Sequence, residues 1–281
     1  MFNSGIMNTN VVKNQSKVVF SFLYLPAALL LMIVLFLWNK EALSINGYTG
    51  IQKEVFLYIN HQLGQYPSLM INFTQFGNAL VFLSCLSIFI IYAPKLWEAL
   101  ISASLISLLF SSTLKNLFSV PRPAAMFDVG TFIIVGEKLT GHSSLPSGHS
   151  ITVFTILTVL MFSFMPRSLI YKILWSFFII VIGLMLVSTR VGVGAHYPLD
   201  TIVGGIIGYI SGVLGILFSQ KYKTWNWIAD KKYSPVFIVL FTVCIIIISK
   251  NIFTESLVVF YLPLVCLAIS LFKIGFLYVK K

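Results

Sequence analysis

Long apolar runs separated by short polar segments dominate the chain. A membrane-spanning helix needs about 20 mostly apolar residues. Eight runs approach that length, at approximately residues 18–38, 70–93, 99–118, 149–165, 173–190, 200–219, 235–249 and 256–277. This pattern predicts an all-α fold, a polytopic membrane helical bundle. The first run has no small-residue cleavage pattern at its end, so we expect a membrane anchor and not a signal peptide.

One polar segment carries its own periodic pattern. Between the first two runs, Ile51, Val55, Phe56, Ile59 and Leu63 recur at helical spacing. This spacing predicts a short amphipathic helix on the outer membrane surface. We expect it to serve packing or anchoring and not to gate a substrate.

The composition excludes a water-soluble domain and a disordered chain. Of the 281 residues, 58% are hydrophobic and only 10% are charged, with a mean hydropathy of +0.95. The three cysteines, Cys85, Cys244 and Cys266, all lie in apolar runs. They are too few for a disulfide scaffold, and we expect them to pack as small apolar residues.

The basic excess is typical of a polytopic membrane protein. The chain has 19 Lys and Arg against 8 Asp and Glu, a formal charge of +11. With a cytoplasmic N-terminus, eleven basic residues, including Lys280 and Lys281, fall in inside segments and seven in outside ones. The positive-inside rule therefore predicts that both termini are cytoplasmic, and no nucleic-acid partner is expected.

The same pattern predicts the organisation of the chain. Residues 1–17 form a cytoplasmic N-terminal tail, and residues 18–219 form the membrane core. Residues 220–281 form a cytoplasmic loop and about two additional transmembrane helices, whose role and oligomeric contacts the sequence does not reveal.

Polar residues interrupt the hydrophobic pattern where three pairs of runs meet, and the topology places all of them on the outer side. Lys115, Arg122 and Arg190 supply three positive charges, which suit a tetrahedral oxyanion such as phosphate. Ser147 and Gly148 open a helix, whose free N–H groups and dipole also favour an anion. These residues predict a phosphate-binding site.

Two histidines can perform the covalent chemistry. His196 and Asp200 are four residues apart near a helix start at Pro198, so they can share one face. The carboxylate can accept the Nδ1 proton and leave Nε2 as a nucleophile that forms a phosphohistidine. His149 can then protonate the leaving oxygen and later activate water. The cations neutralise the phosphate charge, so we expect no metal and no cofactor.

At this point the residues resemble a known family. The pattern Lys115-x6-Arg122-Pro123, Pro146-Ser147-Gly148-His149 and Arg190-x5-His196-x3-Asp200 is similar to the three motifs of the type 2 phosphatidic acid phosphatases, also called lipid phosphate phosphatases. The resemblance implies a membrane-embedded six-helix core over residues 18–219. The chain departs from the family at Thr189, where Ser usually precedes the arginine.

The resemblance also implies a role for each motif residue. It implies that His196 is the nucleophile, Asp200 its partner and His149 the acid. The implied phosphate-binding residues are Lys115, Arg122, Ser147, Gly148 and Arg190. His142 stays outside the catalytic set, and its role is open.

The sequence therefore predicts a membrane enzyme that removes phosphate from a lipid phosphate or diphosphate at the outer leaflet. Phosphatidic acid, phosphatidylglycerol phosphate, undecaprenyl diphosphate and lipid A phosphates are all candidate substrates. The compact loops favour a bacterial inner membrane with a periplasmic site. A lipid phosphotransferase remains an alternative. A transporter or scaffold is disfavoured because the charges lie at one membrane face, and a haloperoxidase because those enzymes are soluble.

Overall fold

Residues 5–279 are described by a computed structural model, and this range contains no strand. The helices are α1 (Ile6–Gln15), α2 (Tyr24–Asn39), α3 (Ile45–Gly50), α4 (Lys53–Gly64), α5 (Pro67–Thr74), α6 (Ala79–Cys85), α7 (Phe89–Tyr92), α8 (Pro94–Phe118), α9 (Pro123–Met126), α10 (Gly148–Ser163), α11 (Leu169–Gly192), α12 (Pro198–Tyr222), α13 (Ser234–Glu255) and α14 (Tyr261–Val279). The prediction of an all-α fold is confirmed. Lys280 and Lys281, which entered the charge count, and residues 1–4 of the predicted tail lie outside the described residues.

The long apolar helices make the chain an integral membrane protein. Within residues 5–279, six segments have the length and hydropathy to cross a membrane. They are Phe20–Asn39, Pro94–Met126, Leu169–Gly192, Pro198–Tyr222, Lys231–Glu255 and Val258–Val279. Helix α10 is equally apolar but has 16 residues, which is shorter than a typical span.

The prediction of one span over residues 70–93 needs correction. Helix α5 ends at Thr74, a 3₁₀ turn covers Gln75–Gly77, and α6 begins after Asn78. The side chain of Asn78 accepts a hydrogen bond from Leu80 N at 2.9 Å and so caps a new helix. Asparagine and glycine both have a low propensity for helix interiors. The helix therefore breaks here, although the run remains apolar on average.

Close contact between α10 and α12 aligns the ends of these two helices. A β-carbon on Gly208 would lie 2.5 Å from the carbonyl oxygen of Ile151, and one on Gly204 would lie 2.7 Å from that of Ser147. Only glycine permits backbones to approach so closely. As a result, Ser147 N donates to the carbonyl oxygen of Asp200 at 3.0 Å, which joins the starts of the two helices.

Helices α3 and α4 pack over one end of this bundle. The side chain of Asn60 is buried, donates to the carbonyl oxygen of Val191 at 3.0 Å and accepts from Ile133 N at 2.8 Å. Gln52 Oε1 accepts from Leu199 N at 2.8 Å. The segment predicted to be amphipathic therefore contains a helix that holds the neighbouring loops in position, with Phe56 fully buried.

Helix α1 and the pair α13 and α14 also pack on the bundle. In the segment predicted as a tail, Asn14 Nδ2 donates to the carbonyl oxygens of Ser163 at 3.1 Å and Met165 at 3.0 Å, at the end of α10. At the other end of the chain, α13 and α14 form a pair that contacts α6. The turn between them is held by Asn72 Oδ1, which accepts from Val259 N at 3.0 Å.

Candidate active site

The motif residues predicted from sequence lie at one end of the bundle. Helices α8 and α11 end there and α10 and α12 begin there, joined by the loops 119–147 and 193–197. The longer loop folds back on itself, because Arg122 N donates to the carbonyl oxygen of Gly141 at 3.0 Å and Ser144 N to that of Val120 at 2.9 Å. This fold places Arg122 and Ser144 beside the shorter loop.

His196 has a different neighbour on each ring nitrogen. Arg122 Nη1 lies 3.3 Å from Nε2, and Asp200 Oδ2 lies 3.4 Å from Nδ1. A guanidinium can only donate hydrogen bonds, so its contact with Nε2 requires that nitrogen to be unprotonated. The proton of a neutral His196 then sits on Nδ1 and faces the carboxylate.

Besides its contact with His196, Asp200 accepts hydrogen bonds from three other groups. Its Oδ1 accepts from the hydroxyl of Tyr48 at 2.7 Å, and its Oδ2 accepts from Ser144 Oγ at 2.6 Å and Tyr197 N at 3.0 Å. Asp200 and Ser144 are fully buried. Burial, and then the charge of Asp200, raise the pKa of Tyr48 well above its ordinary value, so the phenol remains a donor. The carboxylate is therefore fixed in one orientation.

Three cations converge on His196. Arg122 Nη1 also donates to the carbonyl oxygen of Ala195 at 3.1 Å. Burial, followed by the charges of Arg122, Arg190 and Lys115, holds the pKa of His196 well below its ordinary value. Lys115 Nζ lies against Gly148, where an added β-carbon would be 3.1 Å away. An anion placed among these groups would be attracted by all three charges.

Arg190 is buried, and not all of its hydrogen-bond donors have a partner. It is 7% exposed, and its Nη1 donates to Thr74 Oγ1 at 2.7 Å. Its Nε has no hydrogen-bond partner among residues 5–279. A buried, unpaired guanidinium donor is costly, so this geometry suits an anionic ligand that would accept from it.

A cavity of about 690 Å³ joins Arg190 to His149. Its walls also include Thr74, Ala195 and Glu137. The ring of His149 packs so closely on Gly77 that any β-carbon there would collide with it. The cavity therefore exposes both a histidine and an arginine to a ligand of phosphate size or larger.

The structure also places the residues whose role was uncertain. Ser147 Oγ accepts from Ser150 N at 3.3 Å, so it caps α10. The hydroxyl of Thr189 bonds to the carbonyl of Leu186 within α11. Asp128 caps a 3₁₀ turn by accepting from Gly130 N at 3.1 Å. His142 is exposed and does not line the cavity.

Several residues around the site were missed from sequence. Tyr48, Thr74 and Gly77 lie far from the motifs in the chain and carry no local signal. Ser144 had one available signal, since it is a polar residue two positions before Pro146 of the second motif. Among the described residues, no group of three or more His, Cys, Asp or Glu side chains is placed to hold a metal ion.

Fold and site together define a helical integral membrane protein with a cationic, histidine-containing site at one end of its bundle. Residues 96–224 match the model of the PAP2 superfamily. This match covers just under half of the chain, so the chain is similar to this superfamily over these residues. Helices α13 and α14 lie beyond the matched residues.

Similar proteins with assigned names extend this comparison. An undecaprenyl-diphosphatase of Sulfolobus acidocaldarius is 28% identical over 185 residues, which cover 64% of this chain and 84% of that protein. A lipid A 1-phosphatase of Rhizobium johnstonii is 35% identical over 116 residues, 40% of this chain and 43% of the relative. A second lipid A 1-phosphatase, from Rhizobium etli, is 31% identical over 154 residues, which cover 52% of this chain and 62% of that protein. The chain thus spans less than two thirds of either lipid A 1-phosphatase.

The solved structures include one similar chain. The crystal structure of Aquifex aeolicus LpxE has a TM-score of 0.49 and 26% sequence identity, and the match covers 59% of this chain and 95% of that one.

Proposed function

We propose that this protein is a membrane lipid phosphatase that works through a phosphohistidine on His196. The observation that carries the proposal is the position of His196 between Asp200 and Arg122, at 3.4 and 3.3 Å from its two nitrogens. This arrangement leaves Nε2 free of a proton and beside a group that binds phosphate oxygens.

In the first half-reaction, Nε2 of His196 attacks phosphorus while the bond from phosphorus to the leaving oxygen breaks. Arg122, Arg190 and Lys115 neutralise the phosphoryl oxygens. His149, protonated next to the bound phosphate, gives its proton to the leaving oxygen. Asp200 keeps the Nδ1 proton in place and stabilises the positive charge that develops on the ring.

In the second half-reaction, water attacks the phosphohistidine. His149, now neutral, accepts a proton from that water, and the bond between phosphorus and Nε2 breaks. Inorganic phosphate leaves and both histidines return to their starting states. The cations do not change their protonation in either step.

The surroundings of the site favour a lipid substrate. An apolar groove of about 340 Å³ lies between α2 and α8 and reaches Leu145 and Val120, next to Ser144. Leu30, Ile33 and Phe118 also line it. A hydrocarbon chain lying in this groove would keep its head group near the cations. The relatives named for lipid A and undecaprenyl diphosphate support the same substrate class.

We also propose that residues 18–219 form the catalytic core and that the site faces away from the cytoplasm, with both termini on the cytoplasmic side. The basic residues of the opposite end support this orientation. Labelling of intact cells with an impermeant maleimide tests it, with Thr131→Cys at the site end and Lys223→Cys at the other end. We expect labelling of the first variant alone, and labelling of the second alone would reverse the orientation.

The function is tested with purified protein in excess EDTA. We expect release of phosphate from a lipid phosphate or diphosphate, and loss of at least about 1,000-fold in kcat for His196→Ala, because the nucleophile is gone. His61→Ala is the matched control, since His61 is an exposed histidine on α4.

Two results would contradict the proposal. Full activity in the His196 variant would exclude the phosphohistidine, and complete dependence on a metal would exclude charge neutralisation by the cations alone. With radiolabelled substrate and a second lipid present, label that ends in lipid instead of free phosphate would identify a phosphotransferase.

A further inference from the structure

The cavity that exposes His149 and Arg190 is lined in part by residues of the C-terminal helices, outside the matched region. Glu255, the last residue of α13, and Leu257 after it both line the cavity. Glu137 from the loop 119–147 lines it as well. Both glutamates are exposed. The C-terminal helix pair thus brings an acidic side chain to the cavity wall.

The side chain of Glu255 contacts the broken segment between α5 and α6. Gln75 Nε2 lies 3.4 Å from Glu255 Oε2 and donates to it. In the same segment, Thr74 accepts from Arg190, and Gly77 packs on the ring of His149. One short segment therefore contacts Arg190, His149 and Glu255.

The cavity has two chemically opposite regions. Arg190, with His149, attracts phosphate, whose oxygens accept hydrogen bonds. Glu137 and Glu255 also only accept hydrogen bonds when ionised, so they are complementary to hydroxyl or ammonium groups. Apolar side chains such as Val135 and Leu139 lie in the same walls. A phosphate placed near the glutamates would be repelled.

We propose that Glu255 is a specificity-determining residue that selects phosphates attached to a head group with hydroxyl or ammonium donors. This inference rests on the proposed function. A glycerol or sugar phosphate can place its phosphate on the cations and its hydroxyls on the carboxylates. A lipid diphosphate offers only acceptors and further negative charge beyond the reacting phosphate, so it is the poorer substrate.

The experiment compares two lipids. Phosphatidylglycerol phosphate carries a hydroxyl beside its terminal phosphate, whereas undecaprenyl diphosphate carries no donor of this kind. We expect wild-type protein to prefer the first in kcat/KM. Glu255→Gln should lower this preference by about 10-fold, because a charged hydrogen-bond acceptor is lost. Glu255→Lys should lower this preference further, because the lysine would attract the second phosphate of undecaprenyl diphosphate.

The matched control is Glu54→Gln, an exposed glutamate on α4 that does not line the cavity. It should leave the preference unchanged, and equal melting temperatures would show that all variants are folded. The inference is overturned if the Glu255 variants leave kcat/KM for both lipids unchanged, or if they change both values by the same factor. A wild-type protein that releases phosphate from neither lipid would instead overturn the proposed function and, with it, this inference.

Discussion

The chemistry of the site depends, at the scale of single residues, on the charge environment of His196. Three cations and near-complete burial favour its neutral form in the free enzyme. A neutral imidazole is the form that can attack phosphorus. In the proposed mechanism the same cations then bind the phosphate, so one set of charges both prepares the nucleophile and holds the group that it attacks.

This environment predicts the pH dependence of the reaction. Because the pKa of His196 lies well below its ordinary value, protonation of His196 should reduce kcat/KM only at a pH below that at which an ordinary histidine titrates. Arg122→Gln removes the largest of the charges that lower this pKa. The pKa then rises, and the acidic limb of the profile should move to higher pH as overall activity falls.

The measurement is kcat/KM against pH for wild type and Arg122→Gln with one substrate, so that titration of the substrate cancels. Arg167→Gln, at the opposite end of the bundle, is the control for loss of a basic residue. An acidic limb that stays in place or moves to lower pH would contradict the role assigned to Arg122.

At the scale of elements, the break between α5 and α6 is the feature that hydropathy did not predict. The average hydropathy of residues 70–93 is that of a membrane helix, but Gln75, Gly77 and Asn78 interrupt the helix. The interruption has a use in the site, because Thr74 contacts Arg190 and Gly77 leaves room for His149. A continuous helix with ordinary side chains would displace that histidine.

Gly77→Ala tests this interpretation. The new methyl group would collide with the ring of His149, so the ring must move. Since misplacing a catalytic group by about 1 Å can cost up to about 100-fold, we expect kcat to fall by at least about 10-fold. Steady-state kinetics on the purified variant measures this effect.

Gly50→Ala is the matched control, because a β-carbon on Gly50 meets no atom within 4 Å. It should retain wild-type kcat. If both variants keep full activity, the close packing of Gly77 on His149 has no catalytic importance.

Contacts between residues distant in sequence complete the site at the scale of the whole molecule. Tyr48 and Asp200 are 152 positions apart, yet their oxygens lie 2.7 Å apart in the buried interior. Tyr48 also lies outside the residues that match the superfamily. The helices before the matched region therefore contribute to the orientation of a motif residue.

Tyr48→Phe removes only this hydroxyl. A hydrogen bond to a charged group contributes about 1.5 to 3 kcal/mol, so we expect kcat to fall by about 10-fold or more. KM should change little, because Tyr48 donates its hydrogen bond to Asp200 and is not one of the proposed phosphate-binding residues. The assay is the dependence of phosphate release on substrate concentration.

Tyr58→Phe serves as the comparison, since Tyr58 is a 69% exposed tyrosine on the neighbouring helix α4. It should behave as wild type. An unchanged kcat in Tyr48→Phe would show that Ser144 and Tyr197 N are sufficient to hold the carboxylate.

Much of the molecule was predictable because the relevant signals are local. The apolar runs indicated a helical membrane protein, and motif spacing singled out His196, Asp200 and the cations, each of which carries its chemistry in its own side chain. Thr74 and Gly77 could not be found this way. Their contribution depends on which helix packs beside them, and the average hydropathy of their segment conceals the break.

The sequence by itself determined the class of fold and the chemical character of the motifs, because hydropathy over about 20 residues and charge at fixed spacing are properties of short segments. Only the tertiary structure decided which partners orient Asp200, how the broken segment supports His149, and that Glu255 reaches the cavity. These contacts join helices far apart in the chain, and packing selects them through the shape and hydrogen bonding of the whole bundle.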